Sequence, residues 1–251
     1  MGKSIYLALL KVMNKKNIRI CDKNLSAEKY IPASCVCKNA ANLFKSCDYV
    51  ILAVKPQDFV DLAAEIKGTD LGKKIVISIM AGITTNTIGK LLGTKKVVRT
   101  MPNLPLKVSR GITGWYQSKE IGKNESAFIK KIISAWGREF EVKKEEILNG
   151  VTALSGSGPA YFYLLAELME ETARSFGLNK KYSDLIARET FIGAAKLLDS
   201  SALPIEKLRE SITSKGGTTA AAINSFLENN FAGVVKNGII KAQKRSEELS
   251  K

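Results

Sequence analysis

The sequence predicts an α/β fold in its first half, a doubly wound parallel sheet, followed by an all-helical second half. Three observations carry this. The runs Tyr49-Val50-Ile51-Leu52-Ala53-Val54, Ile75-Val76-Ile77-Ser78-Ile79 and Lys96-Val97-Val98-Arg99-Thr100 have strand length and are apolar almost throughout. Parallel strands covered on both faces read that way. These runs alternate with helix-patterned segments, as βα units do. From about residue 145 no convincing strand is found. A length of 251 residues suits two domains better than one or three. The expected domains are 1–145, which would bind a ligand at the strand ends, and 146–251, which is helical.

Each element follows from its pattern. Ile5, Leu9, Val12 and Met13 recur at helical spacing, so a helix is expected over 3–14. Ile18-Arg19-Ile20-Cys21 reads as a short strand stopped by Asp22-Lys23-Asn24. A short helix at 39–45 precedes the strand at 49–54, which Pro56 ends. A helix at 58–66, a strand at 75–79, a helix at 85–92 and a strand at 96–100 follow. Shorter strands at 111–116 and 139–142 flank a helix at 124–136. Helices are then expected at 146–153, 159–176, 182–199, 204–212, 218–228 and 231–247. The charged stretch Lys143-Lys144-Glu145-Glu146 marks the domain boundary.

Composition excludes several functions. The 39 Lys and Arg exceed the 24 Asp and Glu, for a formal charge of +15. The excess is scattered in pairs such as Lys15-Lys16 and Lys130-Lys131, with no aromatic residues interleaved as a base-stacking platform requires. Nucleic acid is therefore not the expected partner. A positive field suits a phosphate-bearing cofactor and an anionic substrate. The chain has no histidine, so a His-containing zinc site is impossible. The four cysteines, Cys21, Cys35, Cys37 and Cys47, include a CxC and no CxxC, and are expected to be free thiols in a reducing cytosol. No metal is expected. Proton chemistry must use Lys, Tyr, Ser, Thr, a carboxylate or water. No apolar run approaches the roughly 18 to 20 residues of a membrane span, and no signal peptide is visible. A soluble cytoplasmic protein is expected, with no membrane partner.

Five stretches carry chemistry. The first is the start. A dinucleotide-binding sheet opens with a strand, a Gly-rich turn and a helix whose N-terminus holds the pyrophosphate. Here Met1-Gly2-Lys3-Ser4 opens a helix directly, with no GxGxxG. Gly2 reads as the end of such a motif, and Asp22 falls where the ribose-binding acid is placed. The expectation is a start internal to a longer chain. The second is Ala53-Val54-Lys55-Pro56, at the carboxyl end of a buried strand. Ligands of such sheets bind there, and Lys55 can reach a phosphate; as a lone signal it is more often a solvated cap. The third is Arg99-Thr100-Met101-Pro102-Asn103-Leu104-Pro105, whose prolines make a stiff turn expected to hold Asn103 outward. The fourth, Ser155-Gly156-Ser157-Gly158-Pro159-Ala160-Tyr161, opens a long helix with Pro in its first turn. The fifth is Thr213-Ser214-Lys215-Gly216-Gly217-Thr218-Thr219. Backbone N–H groups at a helix start beside hydroxyls make an anion site that a carboxylate fits. Taken alone it is also an ordinary capped helix start.

In this order and spacing the motifs resemble pyrroline-5-carboxylate reductase, over nearly the whole chain. The family pattern is a Gly-rich start, an AVKP-type strand end, an RxMPNxP loop, a GSGPAY helix start and a late TSPGGTT loop; Met80-Ala81-Gly82-Ile83-Thr84 also resembles the family's turn after a strand. The resemblance implies a Rossmann-like domain lacking its first strand, followed by a helical domain for substrate binding and dimerisation. It implies reduction of 1-pyrroline-5-carboxylate to L-proline, the last step of proline biosynthesis, with NADPH, or NADH, as cofactor. Gly2, Lys23, Asn24, Asn39, Ala53, Val54, Lys55, Pro56, Met101 and Asn103 would bind the cofactor. Ser214, Gly217, Thr218 and Thr219 would bind the substrate. Thr219 would be the catalytic hydroxyl facing the imine nitrogen. Subunits of the family are at least homodimers, with the active site at their junction.

Two departures from the pattern stand out. Lys215 replaces the turn-stiffening Pro of the TSPGG loop, and the first strand and glycine turn are missing. If the chain began as written, weak cofactor binding would be expected. Two alternatives compete. One is a β-hydroxyacid-dehydrogenase-like oxidoreductase, but the Lys-then-Asn helix signature is absent: Lys196 is followed four residues later by Ser200. The other is a catalytically impaired relative that keeps only the dimerising fold.

Overall fold

The computed structural model describes residues 1–23 and 31–250. Asn24 lies outside the described residues. The chain divides into two compact units, Met1–Ser157 with Ala242–Lys251, and Gly158–Lys241.

The first unit is built on a five-stranded sheet of β1 (Tyr49–Leu52), β2 (Ile75–Ser78), β3 (Val97–Pro102), β4 (Gly111–Gln117) and β5 (Gly137–Glu141), in that spatial order. Three of the four pairings are parallel. β3 and β4 pair antiparallel, with Thr100 opposite Trp115 and Pro102 opposite Thr113. The expected parallel sheet holds, with this one antiparallel pairing added. Residues 103–110 are too few for a crossover helix, and a tight turn at Leu104–Val108 reverses the chain instead, ending with Ser109 at φ 59°. The strand expected at 18–21 is reduced to one parallel bridge, Ile20 with Val36. Its partner segment turns at Ala33–Cys35 just before the bridge, so a longer ladder has nothing to pair with.

Alternation along the strands sorts side chains to two cores. Tyr49, Ile51, Ile75, Ile77 and Val98 face a cluster with α1 (Gly2–Leu9) and α5 (Lys123–Ser134), which contribute Ile5, Leu9, Ile129 and Ile133. Val50, Leu52, Val76 and Val97 face α2 (Ala40–Ser46), α3 (Phe59–Glu65) and α4 (Thr85–Leu92), through Phe44, Phe59, Ala63, Ile88 and Leu92. Burying such an aliphatic or aromatic side chain contributes on the order of 1.5–3 kcal/mol each. Helix α4 shows both terminal signals. Thr84 accepts from the Thr87 N–H at 3.1 Å, and Gly93 ends the helix in the left-handed region.

The helix expected at 146–153 appears as α6 (Ile147–Val151) and a wider π-type turn, Thr152–Gly156. Leu148 and Val151 pack with Val142, Met101 and Tyr116, so α6 belongs with the sheet. The compact unit runs on to Ser157.

The second unit holds α7 (Gly158–Ser175), α8 (Lys180–Ser200), α9 (Ile205–Ser211), α10 (Thr218–Glu228) and the larger part of α11 (Phe231–Leu249). Helices α7 and α8 pack together across a turn at Gly177, φ 88°, and Asn179, which caps α8 by accepting from Tyr182 N–H at 3.0 Å. The unit closes almost no core of its own. Gly158, Ala173, Ser183 and Ala187 are its buried helical residues among those described, while Phe162, Leu164, Phe176 and Leu197 are more than half exposed. No described helix is long and apolar enough to cross a membrane.

Candidate active site

In the first unit, the carboxyl ends of β1 to β3 gather most of the expected cofactor residues. The start of α1 lies against the end of β1. A Cβ added at Gly2 would come within 3.3 Å of the Ala53 Cβ, so a side chain here would crowd the strand end. Val54 is half-buried, while Ala53, Lys55 and Pro56 are exposed; Lys55 precedes the tight turn Pro56–Asp58. Lys23 is exposed at the end of the bridged segment. Asn39 has a structural duty: its Oδ1 caps α2 by accepting from Asn42 N–H at 2.9 Å.

Asn103 is turned inward. It is 8% exposed, and its Oδ1 accepts from the Ile112 N–H at 3.0 Å. The outward orientation expected from the proline-stiffened turn is therefore corrected. The turn swings the side chain onto β4, whose first N–H groups would otherwise be unmet. Met101 packs beside Val142, Leu148 and Val151, and its Cε would lie 2.5 Å from any Cβ at Gly156. Gly156, in the fourth motif, thus gives Met101 its space.

Beneath these strand ends lies a buried polar network that the sequence did not single out. Arg99, 3% exposed, donates from Nη1 to Glu145 Oε1 at 3.2 Å and from Nη2 to Asn149 Oδ1 at 3.3 Å. Glu145 also accepts from the N–H and hydroxyl of Thr85, at 2.8 and 2.6 Å, and so ties the start of α4 to β3. In sequence Glu145 stands among lysines and reads as a solvated boundary. The only available signal was an arginine inside an otherwise buried strand, since a buried charge needs a partner. Nearby, Thr100 donates to the Ser78 carbonyl at 2.9 Å, and Ser78 Oγ accepts from Met80 N–H at 3.1 Å, which fixes the adjoining strand ends.

The four cysteines are free thiols. Burial, with Glu65, Cys37 and Asp22 adding, pushes the Cys21 thiol up; burial likewise raises Cys47. Both stay protonated near neutral pH and are poor nucleophiles there.

In the second unit, the expected substrate residues cluster at the start of α10. Gly216 has φ 75°, and the chain turns so that Ser214 Oγ would lie 2.5 Å from a Cβ at Gly217. Gly217 N–H donates to the Ser214 carbonyl at 3.0 Å. Thr218 and Thr219 are the first helical residues, and no side chain caps the helix. The first N–H groups of an uncapped helix start are orphan donors, here beside the hydroxyls of Ser214, Thr218 and Thr219. Such a cradle suits a carboxylate. Lys215 is exposed in the same loop.

Comparison with known proteins now gives the lineage. A family profile described as pyrroline-5-carboxylate reductase dimerisation matches residues 145–249, and one described as NADP oxidoreductase coenzyme F420-dependent matches residues 1–82. The pyrroline-5-carboxylate reductase of Haemophilus influenzae is 32% identical over 254 residues, covering 99% of this chain and 94% of that one. The chain belongs to the pyrroline-5-carboxylate reductase family. The enzyme of that name from Vibrio alginolyticus is 36% identical over 206 residues, covering 81% of this chain and 76% of its own. Among solved structures, a pyrroline-5-carboxylate reductase from Coxiella burnetii superposes with a TM-score of 0.87 at 30% identity, covering 100% of this chain and 95% of that one. Pyrroline carboxylate reductase from Plasmodium falciparum, solved with NADP bound, gives 0.85 at 26% identity, with the same coverage. The family assignment drawn from the ordered motifs holds, and so does the expectation of a Rossmann-like sheet followed by helices. A reductive aminase from Aspergillus terreus, at 12% identity and a TM-score of 0.54, shares the fold alone.

The pyrroline-5-carboxylate reductase family frame also bears on fit. The cofactor implied is a nicotinamide dinucleotide. The α1 start carries no side-chain cap, and its glycine stands against the small side chain of Ala53 at the strand end. That geometry accommodates a pyrophosphate, so the residues present fit the group.

Proposed function

We propose that this chain reduces 1-pyrroline-5-carboxylate to L-proline at the expense of NADPH. The observation that carries the reading is the uncapped α10 start, where Ser214, Thr218 and Thr219 stand together beside Gly217, which carries no side chain. A small cyclic amino acid's carboxylate is the anion this cradle suits. In the reading, Thr218 and Thr219 face the carboxylate at the helix start, Gly217 leaves it room, and Ser214 adds its hydroxyl. Thr219 points its hydroxyl at the ring nitrogen and holds or donates a proton there. When bound, the nicotinamide supplies the hydride. That hydride would go to the C=N carbon, and the proton held at the Thr219 hydroxyl would complete the amine at nitrogen. Where the imine reaches the site already protonated, the chain's contribution is to hold donor and acceptor in contact.

Gly2, Ala53, Val54, Lys55 and Pro56 would line the cofactor, with Met101 and Asn103 toward its reactive end. The Asn103 carbonyl is engaged, so its amide N–H groups are what it can offer. Lys23, with Asn24, would hold the extra phosphate of NADPH beside Asp22. The NADP named for one matched profile and bound in the Plasmodium falciparum relative supports NADPH over NADH. Self-association as a homodimer or larger assembly is part of the reading, since the helical half matches a dimerisation profile. A cytoplasmic location is the fitting one for a reductase with four free thiols.

The test is loss of NADPH absorbance when the purified protein meets pyrroline-5-carboxylate, beside the Thr219→Ala variant. A substrate-dependent rate that collapses in the variant supports the reading. No rate from folded protein supplied with either NADPH or NADH sinks it.

A further inference from the structure

The last turn of α11 closes over the buried arginine. Ser246, 5% exposed, donates to Asn149 Oδ1 at 3.1 Å, the atom that also accepts from Arg99 Nη2, and Ser250 Oγ lies 3.2 Å from that atom and donates to the Ser246 carbonyl at 2.8 Å. Ser250 Oγ lies 3.5 Å from Arg99 Nη2 as well. The same turn presses on the loop after β2. Gly82 has φ 77°, and a Cβ there would sit 2.7 Å from the Leu249 carbonyl oxygen. The tail therefore touches the network on β3 and the 80–84 turn on β2 at once. Through Glu145 the network continues to Thr85, at the start of α4. All these residues belong to the first unit.

Position gives the contacts their meaning. The 80–84 turn and residues 101–103 follow the carboxyl ends of β2 and β3, where ligands of an open α/β sheet bind. We propose that Ser246 and Ser250 are positioning residues, a clasp by which the end of the chain holds these two strand ends in register for the cofactor. The proposal rests on the nicotinamide-reductase reading for its ligand, but the mechanical part stands apart from it. With the clasp undone, Arg99 keeps both Glu145 and Asn149, but the end of α11 is no longer tied to them. The strand ends then loosen, and the sheet stays folded on its two cores. Binding should weaken, and turnover once the cofactor is bound should not.

The test uses the full chain with Ser246→Ala and Ser250→Ala combined, and Ser250→Ala alone as a milder variant. Amide hydrogen exchange, read without cofactor, should speed up by about tenfold in 80–84 and 101–103 and stay unchanged in β1 and α5. The KM for NADPH should rise several-fold while kcat stays within about twofold. Unchanged exchange in both segments overturns the proposal, as does faster exchange spread evenly over the unit. Faster local exchange with an unchanged KM also overturns it, because the contact is then structural only. Failure of the reductase reading would show in the unaltered chain, as absence of turnover, and would leave the exchange comparison readable.

Discussion

Thr219 is the residue on which the proposed chemistry turns. It opens α10 next to Thr218 and Gly217, with no side chain competing for the helix start. Thr219→Ala should lower kcat/KM for pyrroline-5-carboxylate by about 10² or more, the usual worth of a positioned proton-holding group. Thr219→Ser, which keeps the hydroxyl, should lie within about tenfold of the parent. Steady-state rates on both variants decide this; equal loss in Ala and Ser would remove the hydroxyl from the mechanism. Gly156 makes a second prediction at this scale. A methyl there meets Met101 Cε at 2.5 Å. Gly156→Ala should cost about 1–3 kcal/mol by overpacking, read as a shifted denaturant midpoint, and should raise the cofactor KM through the displaced Met101. Sequence reading singled out Met101, Gly156 and Thr219 because each sits in a motif with a local reason. It misplaced the Asn103 side chain, because the hydrogen bond that turns it inward comes from Ile112, on a different strand.

The elements are held together by contacts that local sequence does not display. Most strands and helices were legible because apolar periodicity is written in nearby residues. The antiparallel β3–β4 pairing and the single-residue bridge at Ile20 were not, since both depend on what the chain finds across the gap. Glu145 shows the same limit. It reads as a boundary charge, yet its side chain is 16% exposed and bonded to Arg99 and Thr85. Glu145→Ala leaves a buried guanidinium without its carboxylate and should cost about 3–5 kcal/mol, measured by urea unfolding. Glu125 offers a smaller, pH-dependent case. Its Oε1 accepts from Lys96 Nζ at 2.6 Å and its Oε2 from the Gly122 N–H at 2.9 Å, and these bonds hold its carboxyl below the usual range. A depressed folded value contributes stability above the unfolded pKa, about 4.3 for Glu, and that contribution is lost as pH falls through the folded value. Glu125→Gln should therefore cost about 0.5 kcal/mol or less at neutral pH, as exposed pairs do. The difference from the parent should vanish when unfolding is repeated well below pH 4.

At the scale of the whole molecule, the two units differ in how far they satisfy themselves. The sheet unit has two closed cores. The helical unit leaves Phe162, Tyr163, Leu164, Phe176, Leu197 and Ile205 each more than half exposed. Exposed apolar surface on that scale marks a site of association. The profile that matches residues 145–249 is one for dimerisation, which points to a second copy of this chain as the cover. Sequence alone could show the helices and their apolar content; it could not separate a buried bundle from a half-bundle awaiting its partner, because both read as apolar helices. The occupant can be tested on helix α7. Leu164→Glu with Leu168→Glu places two charges on residues 57% and 49% exposed, where an isolated chain would tolerate them at little cost. In a dimer they are buried without partners, which is costly. Light scattering should show the parent as a dimer or larger and the variant as a monomer, while the circular dichroism of the sheet unit persists. If substrate turnover needs residues of both copies, activity should disappear with the dimer. A variant that keeps the parent's mass would place the association surface elsewhere.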